Sequence, residues 1–351
     1  MKILYLYAEV MGYTMATIEE LSASGAELHI VHWDRRKLTP YAAPATANVT
    51  MYSRSEIDTG GMMALAERVA PDITVVSGWQ DRDYLAVARK LRDQGRVVVI
   101  GFDDQWFGTP RQRVAGVLCR FGYLSRYFTH AWVSGPFQYE YAVRLGFTKN
   151  RVVYDLYSAD LCRFHASYLE SAAEKRARYP HRFLFVGRFN PVKGLDTLLA
   201  AWKAIECERK DWELHLIGNG DLRDQLASVE GIVVKDFMQP DELIREVRDA
   251  GCFVLASINE PWGVVVHEFA AAGLPLVLSD VIGAAATFLI PGYNGFAFKV
   301  GEAGSLAATL RKVIAASDEQ LLEMSEASHQ LSKRITPQTS AANLLATAQG
   351  D

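Results

Sequence analysis

The pattern that most restricts this chain is an alternation of short apolar runs with helix-like stretches, which begins at residue 2, halts near the middle and begins again. KILYLYAE reads as a buried strand, Thr14 to Ala26 carries apolar residues at helical spacing, and ELHIVHW reads as the next strand. ITVVSG, RVVVIG and HAWVSG continue the series, separated by segments such as DYLAVARKLRDQG. Continuous apolar strands alternating with helices predict a parallel sheet covered on both faces. From His181 the pattern restarts with FLFVG, ELHLIG, IVVKDF, CFVLAS, LPLVLSD and FAFKV. The polar stretch before Pro180, HASYLESAAEKRARY, suits an exposed connector. The expected organisation is therefore a first domain at 1–165, a connector at 166–180, a second domain at 181–335, and a tail at 336–351 that forms a helix returning to the first domain.

A length of 351 residues exceeds what one hydrophobic core normally fills, which agrees with two domains. Half the residues are hydrophobic and about a fifth charged, so the chain is folded rather than disordered. A net charge of -4 gives no global reason to hold nucleic acid, and none is expected as a partner. Cys119, Cys162, Cys207 and Cys252 form no CxxC pair and are read as reduced, mostly buried thiols. The apolar run Ile3 to Ala8 is too short for a signal-peptide core, and no later run is long enough to span a bilayer, so the expected location is the cytoplasm.

Ligands of open parallel sheets bind outside the carboxyl ends of the strands, often at helix N-termini. After FLFV come Gly187, Arg188, Phe189, Asn190, Pro191, Val192, Lys193 and Gly194, then an amphipathic helix. Arg188 offers a planar fork to phosphate oxygens and Lys193 a mobile point charge, a pairing able to hold a diphosphate without a metal. After CFVLAS come Asn259, Glu260, Pro261, Trp262 and Gly263, then a helix that contains Glu268. Pro261 suits a helix start and Gly263 allows close backbone approach, so free amides there form a phosphate cradle. A carboxylate among them suits sugar hydroxyls, which donate well to an ionised acceptor. The plainer readings are a solvated loop cation for either base and a buried, paired structural carboxylate for Glu268.

With these residues in view, GRFNPVKGLDTLLAAW, ELHLIGNGDL, SINEPWGVVVHEFAAAGLPLV and PGYNGFAFKVGEAGSLAATL resemble, in order and spacing, the donor-binding half of the retaining glycosyltransferases of family GT4. The resemblance is strong from Phe183 to Ile314 and weaker over WVSGPFQYEYAVRLG and SADLCRF. It implies the α/β fold called GT-B: two Rossmann-like, doubly wound parallel-sheet domains facing a central cleft. It also implies a nucleotide-sugar donor, a UDP- or GDP-sugar, no cofactor and no metal. Arg188 and Lys193 would then neutralise the diphosphate, Glu260 would hold hydroxyls of the transferred sugar, and Glu268 would hold the ribose. Amides around Trp262, Gly263 and Val264 would meet the phosphates, with Gly187 and Gly218 lining the donor site and Phe237 and Met238 flanking the base. The acceptor is a hydroxyl of a glycan, a lipid-linked compound or a small molecule.

The first domain departs from that family. Its first loop has Glu9, Val10, Met11, Gly12 and Tyr13 in place of a double glycine, leaving Gly12 as the residue where backbone can approach the donor. Gly101, Phe102, Asp103 and Asp104 stand where many members have a histidine, and Tyr157 and Ser158 where an Asn-Gly pair is common. Asp103 or Asp104 orients an acceptor hydroxyl in one reading and caps a helix or turn in the other. Asp81-Arg82-Asp83 spells a metal-binding DxD but falls at an expected helix start, which favours capping. His267 neighbours Glu268 but points about 100° away on a helix, so packing is its expected role. From Gln105 to Phe128 the chain has Arg111, Arg113, Arg120 and Arg126, several aromatics and no acid. This segment reads either as peripheral contact with an anionic membrane or as an ordinary half-buried helix. Two alternatives to sugar transfer use the same residues: a GT-B sugar-nucleotide epimerase, and a catalytically silent sugar-nucleotide-binding subunit. A dehydrogenase is disfavoured because the first loop lacks GxGxxG.

Overall fold

The computed structural model describes residues 1–35 and 44–349. By its internal contacts the chain divides into two units, Met1–Ala159 with Ile335–Asp351, and Asp160–Arg334.

In the first unit the strands are β1 (Lys2–Tyr7), β2 (Glu27–His32), β3 (Val49–Ser53), β4 (Ile73–Ser77), β5 (Val97–Phe102), β6 (His130–Val133) and β7 (Val152–Val153). They form one sheet in the order β3-β2-β1-β4-β5-β6-β7, and every pairing is parallel. Because successive side chains of a strand point to opposite faces, β1 feeds two cores. Ile3, Tyr5 and Tyr7 pack with Met15, Ile18 and Leu21, whereas Leu4 and Leu6 pack with Met62, Leu65 and Tyr84. The terminal helix Pro337–Ala346 joins the first of these cores through Ala341 and Leu344. Thr17 Oγ1 donates to Ser340 Oγ at 3.0 Å, and Asn343 Nδ2 donates to Asp155 Oδ2 at 3.0 Å. The tail thus packs within the first unit up to residue 349; its last two residues lie outside those described.

The second unit contains β8 (Arg182–Val186), β9 (Glu213–Ile217), β10 (Ile232–Lys235), β11 (Cys252–Leu255), β12 (Leu276–Ser279) and β13 (Gly295–Phe298). Their order is β10-β9-β8-β11-β12-β13, again parallel throughout. Order reverses between β8 and β11, so the loops after these two strands diverge and leave a crevice at their carboxyl ends.

The segment expected as a connector is instead the helix Leu161–Ala177, part of the second unit. Its buried stripe is Leu161, Phe164, Ser167, Ser171 and Lys175, spaced three or four apart. Three of those five are polar, which is why the sequence reads as solvated. Lys175 is 4% exposed, and its ammonium donates to the carbonyl of Ala250 at 2.9 Å; burial lowers its pKa to about 8. All four thiols are free, as expected, but only Cys119 and Cys252 are buried, Cys162 and Cys207 being exposed. Among the described residues no helix is long and apolar enough to cross a membrane.

Candidate functional site

The loop after β8 is fixed by backbone contacts before any side chain acts. Gly187 N donates to Ile217 O at 3.0 Å and Phe189 N to Asn219 O at 2.8 Å, which ties this loop to the one after β9. Gly218 sits at φ 153°, where a Cβ would lie 1.9 Å from the carbonyl oxygen of Gly187. Only glycine permits that approach. Gly194 is equally constrained: its φ is 64°, and a Cβ would lie 1.9 Å from the carbonyl oxygen of Ala256. Ile258 N donates to Val192 O at 2.9 Å, so the loops after β8 and β11 are joined across the crevice.

That join brings two expected site residues together. The Lys193 ammonium forms an ion pair with the Glu260 carboxylate, their side chains 17% and 13% exposed. Ser257 Oγ donates to the same Glu260 oxygen at 3.0 Å, while Ser279 Oγ donates to Ser257 O at 2.6 Å. Sequence reasoning missed Ser257; a small polar residue at a strand end carries no signal until its partner is seen. Arg188 is exposed, and its guanidinium has no hydrogen bond or ion pair among the described residues. The loop after β8 thus carries two cations, Lys193 held by Glu260 and Arg188 exposed.

Trp262 is 1% exposed and packs edge-on against Phe288, ring centres 6.2 Å apart. Its indole is core, so only its backbone can serve a ligand. Gly263, at φ 91°, is the N-cap of the helix Val264–Ala271, and no side chain caps that helix. Val266 N donates to Gly263 O at 3.0 Å, and the start of the helix presents the positive end of its dipole, which favours an anion. On the same helix Glu268 is partly covered, and its carboxyl has no hydrogen-bond partner among the described residues. Burial, reinforced by the negative charge of Asp160 and opposed by Arg163, pushes its pKa up to about 7. Of the plainer reading, a buried and paired carboxylate, the structure shows the partial burial and the nearby charge of Arg163 but no hydrogen-bond partner. Asp160 and Arg163 belong to the helix whose start the sequence assigned to the first domain, so their place beside Glu268 was not legible. His267 is fully buried, with Nε2 2.8 Å from Ser332 O and its ring stacked on Phe288 at 4.2 Å. It is a packing residue.

Phe237 and Met238 follow β10 and line an open pocket of 540 Å³ with Arg223, Asp236 and Arg245. Phe237 is exposed, and Arg223 pairs with Asp236 at 2.9 Å. Gly187, Arg188, Lys193, Gly218, Phe237, Met238, Glu260, Trp262, Gly263, Val264 and Glu268 all lie in the second unit. All but Glu268 lie at or just beyond the carboxyl ends of its strands.

Gly12, Asp103 and Asp104 lie in the first unit. Gly12 opens the helix Gly12–Ala23, whose N-cap Met11 makes no side-chain bond. Asp103 and Asp104 directly follow β5, and the next helix, Pro110–Arg120, is capped by Thr109 through Gln112 N. The helix-cap reading of the two aspartates is therefore wrong. Asp104 has its pKa raised by burial, partly offset by Arg111, and the charge of Asp103 acts on the buried hydroxyls of Tyr7 and Tyr157. Asp81 does cap a helix, accepting from Asp83 N at 2.9 Å and Tyr84 N at 3.2 Å. Asp83 accepts from Thr59 Oγ1 at 2.6 Å and pairs with Arg54.

Residues 169–331 match the family described as Glycosyl transferases group 1. The chain is 37% identical over 107 residues to an uncharacterized glycosyltransferase of Methanocaldococcus jannaschii, covering 28% of this chain and 27% of that protein. It is 34% identical over 151 residues to the phosphatidyl-myo-inositol mannosyltransferase of Mycobacterium leprae, covering 40% of each. The alignments thus span well under half the length of these relatives. Among solved structures it is similar to Anabaena HepE in complex with UDP and glucose, with a TM-score of 0.68, 17% identity and 99% of both chains covered.

Proposed function

We propose, from the premise that the chain is a GT4-like glycosyltransferase of the group 1 family, that it moves a sugar from a UDP- or GDP-sugar to a hydroxyl acceptor. Transfer proceeds with retention of anomeric configuration and without a metal, onto a glycan, a lipid-linked compound or a small molecule. The observation that carries this reading is the arrangement across the β8/β11 crevice. There the loop after β8 carries Lys193 and the exposed Arg188, Lys193 pairs with Glu260 of the loop after β11, and that loop leads into a helix with no side-chain cap. HepE, the structural neighbour, is described with UDP and glucose, which supports a nucleotide-sugar donor.

In this mechanism Arg188 clamps the diphosphate, Lys193 adds a second positive charge, and the amides at Gly263 and Val264 meet the remaining oxygens. Glu260 accepts hydrogen bonds from hydroxyls of the transferred sugar, and Glu268 accepts them from the ribose. The bond from the anomeric carbon to the phosphate oxygen breaks as the bond to the acceptor oxygen forms on the same face. The acceptor proton passes to the leaving phosphate. The protein positions the groups and stabilises charge that develops on the diphosphate. The acceptor falls to the first unit, where Asp103 or Asp104 orients its hydroxyl and residues 105–128 contact an anionic membrane.

The test is acceptor-dependent release of nucleoside diphosphate, followed with and without EDTA. Release is expected to need the acceptor and to keep its rate in EDTA, because the phosphate charge is met by Arg188, Lys193 and helix amides. Loss of activity in EDTA, restored only by manganese or magnesium, contradicts the metal-free reading. Interconversion of sugar nucleotides with no acceptor would favour an epimerase instead.

A further inference from the structure

The helix Pro110–Arg120 rests on the first unit by a narrow strip, since its buried residues are Gly116 and Cys119 alone. Its outward side is apolar. Val114 is 61% exposed, Val117 and Leu118 are each 58% exposed, and Phe121, one residue past the helix, is 83% exposed. The spacing 114, 117, 118, 121 puts all four within about 100° of arc on a helix that turns about 100° per residue. On the same wheel Arg113 and Arg120 border one flank of this strip and Arg111 the other. Arg126 follows in the next turn, a short 3-10 segment Leu124–Arg126, and is also exposed. None of these four arginines forms an ion pair within hydrogen-bonding distance of an acid among the described residues. Arg113 Nε donates only to the carbonyl of Gly108, at 2.9 Å, and Arg111 acts on Asp104 through its charge.

We infer that this face docks on the surface of an anionic lipid bilayer, with Val114, Val117, Leu118 and Phe121 entering the acyl boundary and the arginines meeting lipid phosphates. Charge decides the occupant. The segment 105–128 has no acidic residue, so a second copy of this chain meeting the same face would bring like charges together. An anionic bilayer supplies apolar depth and negative charge in one surface. With no described helix able to span a membrane, the contact is interfacial. The helix begins in the loop that leaves the carboxyl end of β5 at Asp103 and Asp104. Docking therefore holds the acceptor-orienting edge of the first unit close to the lipid headgroups. Resting on the glycosyltransferase reading above, this narrows the acceptor class to a hydroxyl carried on a lipid.

Sedimentation of the full chain with vesicles tests the inference, using phosphatidylcholine alone and phosphatidylcholine mixed with phosphatidylglycerol. Binding to the anionic vesicles is expected at low salt, with little to neutral ones. It should weaken at high salt, where screening shortens the reach of charge to about 3 Å at 1 M. Arg120→Gln should weaken partitioning about fivefold, and Phe121→Ser about tenfold or more. Both positions are solvent-exposed, so circular dichroism and nucleotide-sugar binding by the second unit should be unchanged. Equal binding to both vesicle types, binding to neither, or both variants behaving as the original chain overturns the inference. So does concentration-dependent dimerisation that Leu118→Asp abolishes, which assigns the face to a second copy. Vesicle binding with no nucleotide-sugar binding would leave the docking face standing and sink the proposed transfer.

Discussion

Glu268→Gln is expected to make the protein more stable at pH 8 and at the same time to weaken donor binding by roughly 10- to 150-fold. The two effects have one origin. Burial holds the Glu268 carboxyl near pKa 7, against about 4.3 in an unfolded chain. A carboxyl that binds its proton more tightly when folded favours the fold below the unfolded value. That contribution disappears as pH rises through the folded value. Between about pH 4.3 and 7 the original chain therefore loses stability to this group. The loss is on the order of 1 to 3 kcal/mol once reduced for the solvent that still reaches the side chain. Glutamine has no proton to lose, so the variant should match the original at pH 4 and exceed it at pH 8. Donor affinity moves the other way. Ribose hydroxyls donate more strongly to an ionised acceptor than to a neutral one, and a lost charge-assisted bond costs about 1.5 to 3 kcal/mol. Donor binding to the original chain should therefore strengthen as pH rises toward 7, and the variant should lack that dependence. Melting curves and donor titrations at both pH values check this. A variant less stable at pH 8, or one with ordinary donor affinity, would show Glu268 to be a structural group.

Lys193→Met and Glu260→Gln should each reduce transfer by about a hundredfold or more, while their combination restores stability and not activity. Either single change leaves the other charge in a site where the two side chains are 17% and 13% exposed. Ser257 still donates to the Glu260 carboxylate when Lys193 is removed, but supplies no charge. Breaking a covered pair costs about 3 kcal/mol, most of it the isolated charge. Removing both charges removes that cost, so the double variant should melt closer to the original than Lys193→Met does. Activity should not recover, because the diphosphate loses a cation and the sugar loses an acceptor. Additive losses of stability would mean the pair is not coupled. Recovery of transfer in the double variant would mean the pair is only architectural.

Much of this was legible in the sequence, for a stated reason. All six strands of the second sheet and five of the first are short runs rich in apolar residues, and such runs stand out whether buried on both faces, as in β11 and β12, or hardly at all, as in the edge strand β10. Strand β3, VTMYS, is an edge strand with no buried residue, and β7 has two residues; neither carries a hydropathy signal. The helix Leu161–Ala177 was hidden because it buries serines and a lysine. In the site, Arg188, Lys193, Glu260 and Glu268 could be named because loops that follow strands are where ligands bind. Their relations could not be. That Lys193 reaches Glu260 depends on the strand order, which places the loop after β8 beside the loop after β11 although 67 residues separate the pair. For the aspartates after β5 the sequence left a cap or turn open beside an acceptor-orienting role, because capping is local, and the structure gives the capping of the next helix to Thr109.

The central claim is that the second unit binds a nucleotide sugar between Arg188, Lys193 and the helix that carries Glu268. Thermal melting of the original chain and of Arg188→Ala, with UDP-, GDP- and ADP-sugars in turn, tests it most directly. A ligand present at a hundred times its dissociation constant adds about 2.7 kcal/mol to apparent stability. One nucleotide class should raise the melting temperature of the original chain clearly above the other two. That rise should be largely absent in Arg188→Ala, whose own melting temperature should be unchanged because Arg188 is exposed and bonded to nothing else among the described residues. No shift with any of the three sugars, or equal shifts in both proteins, would contradict the claim.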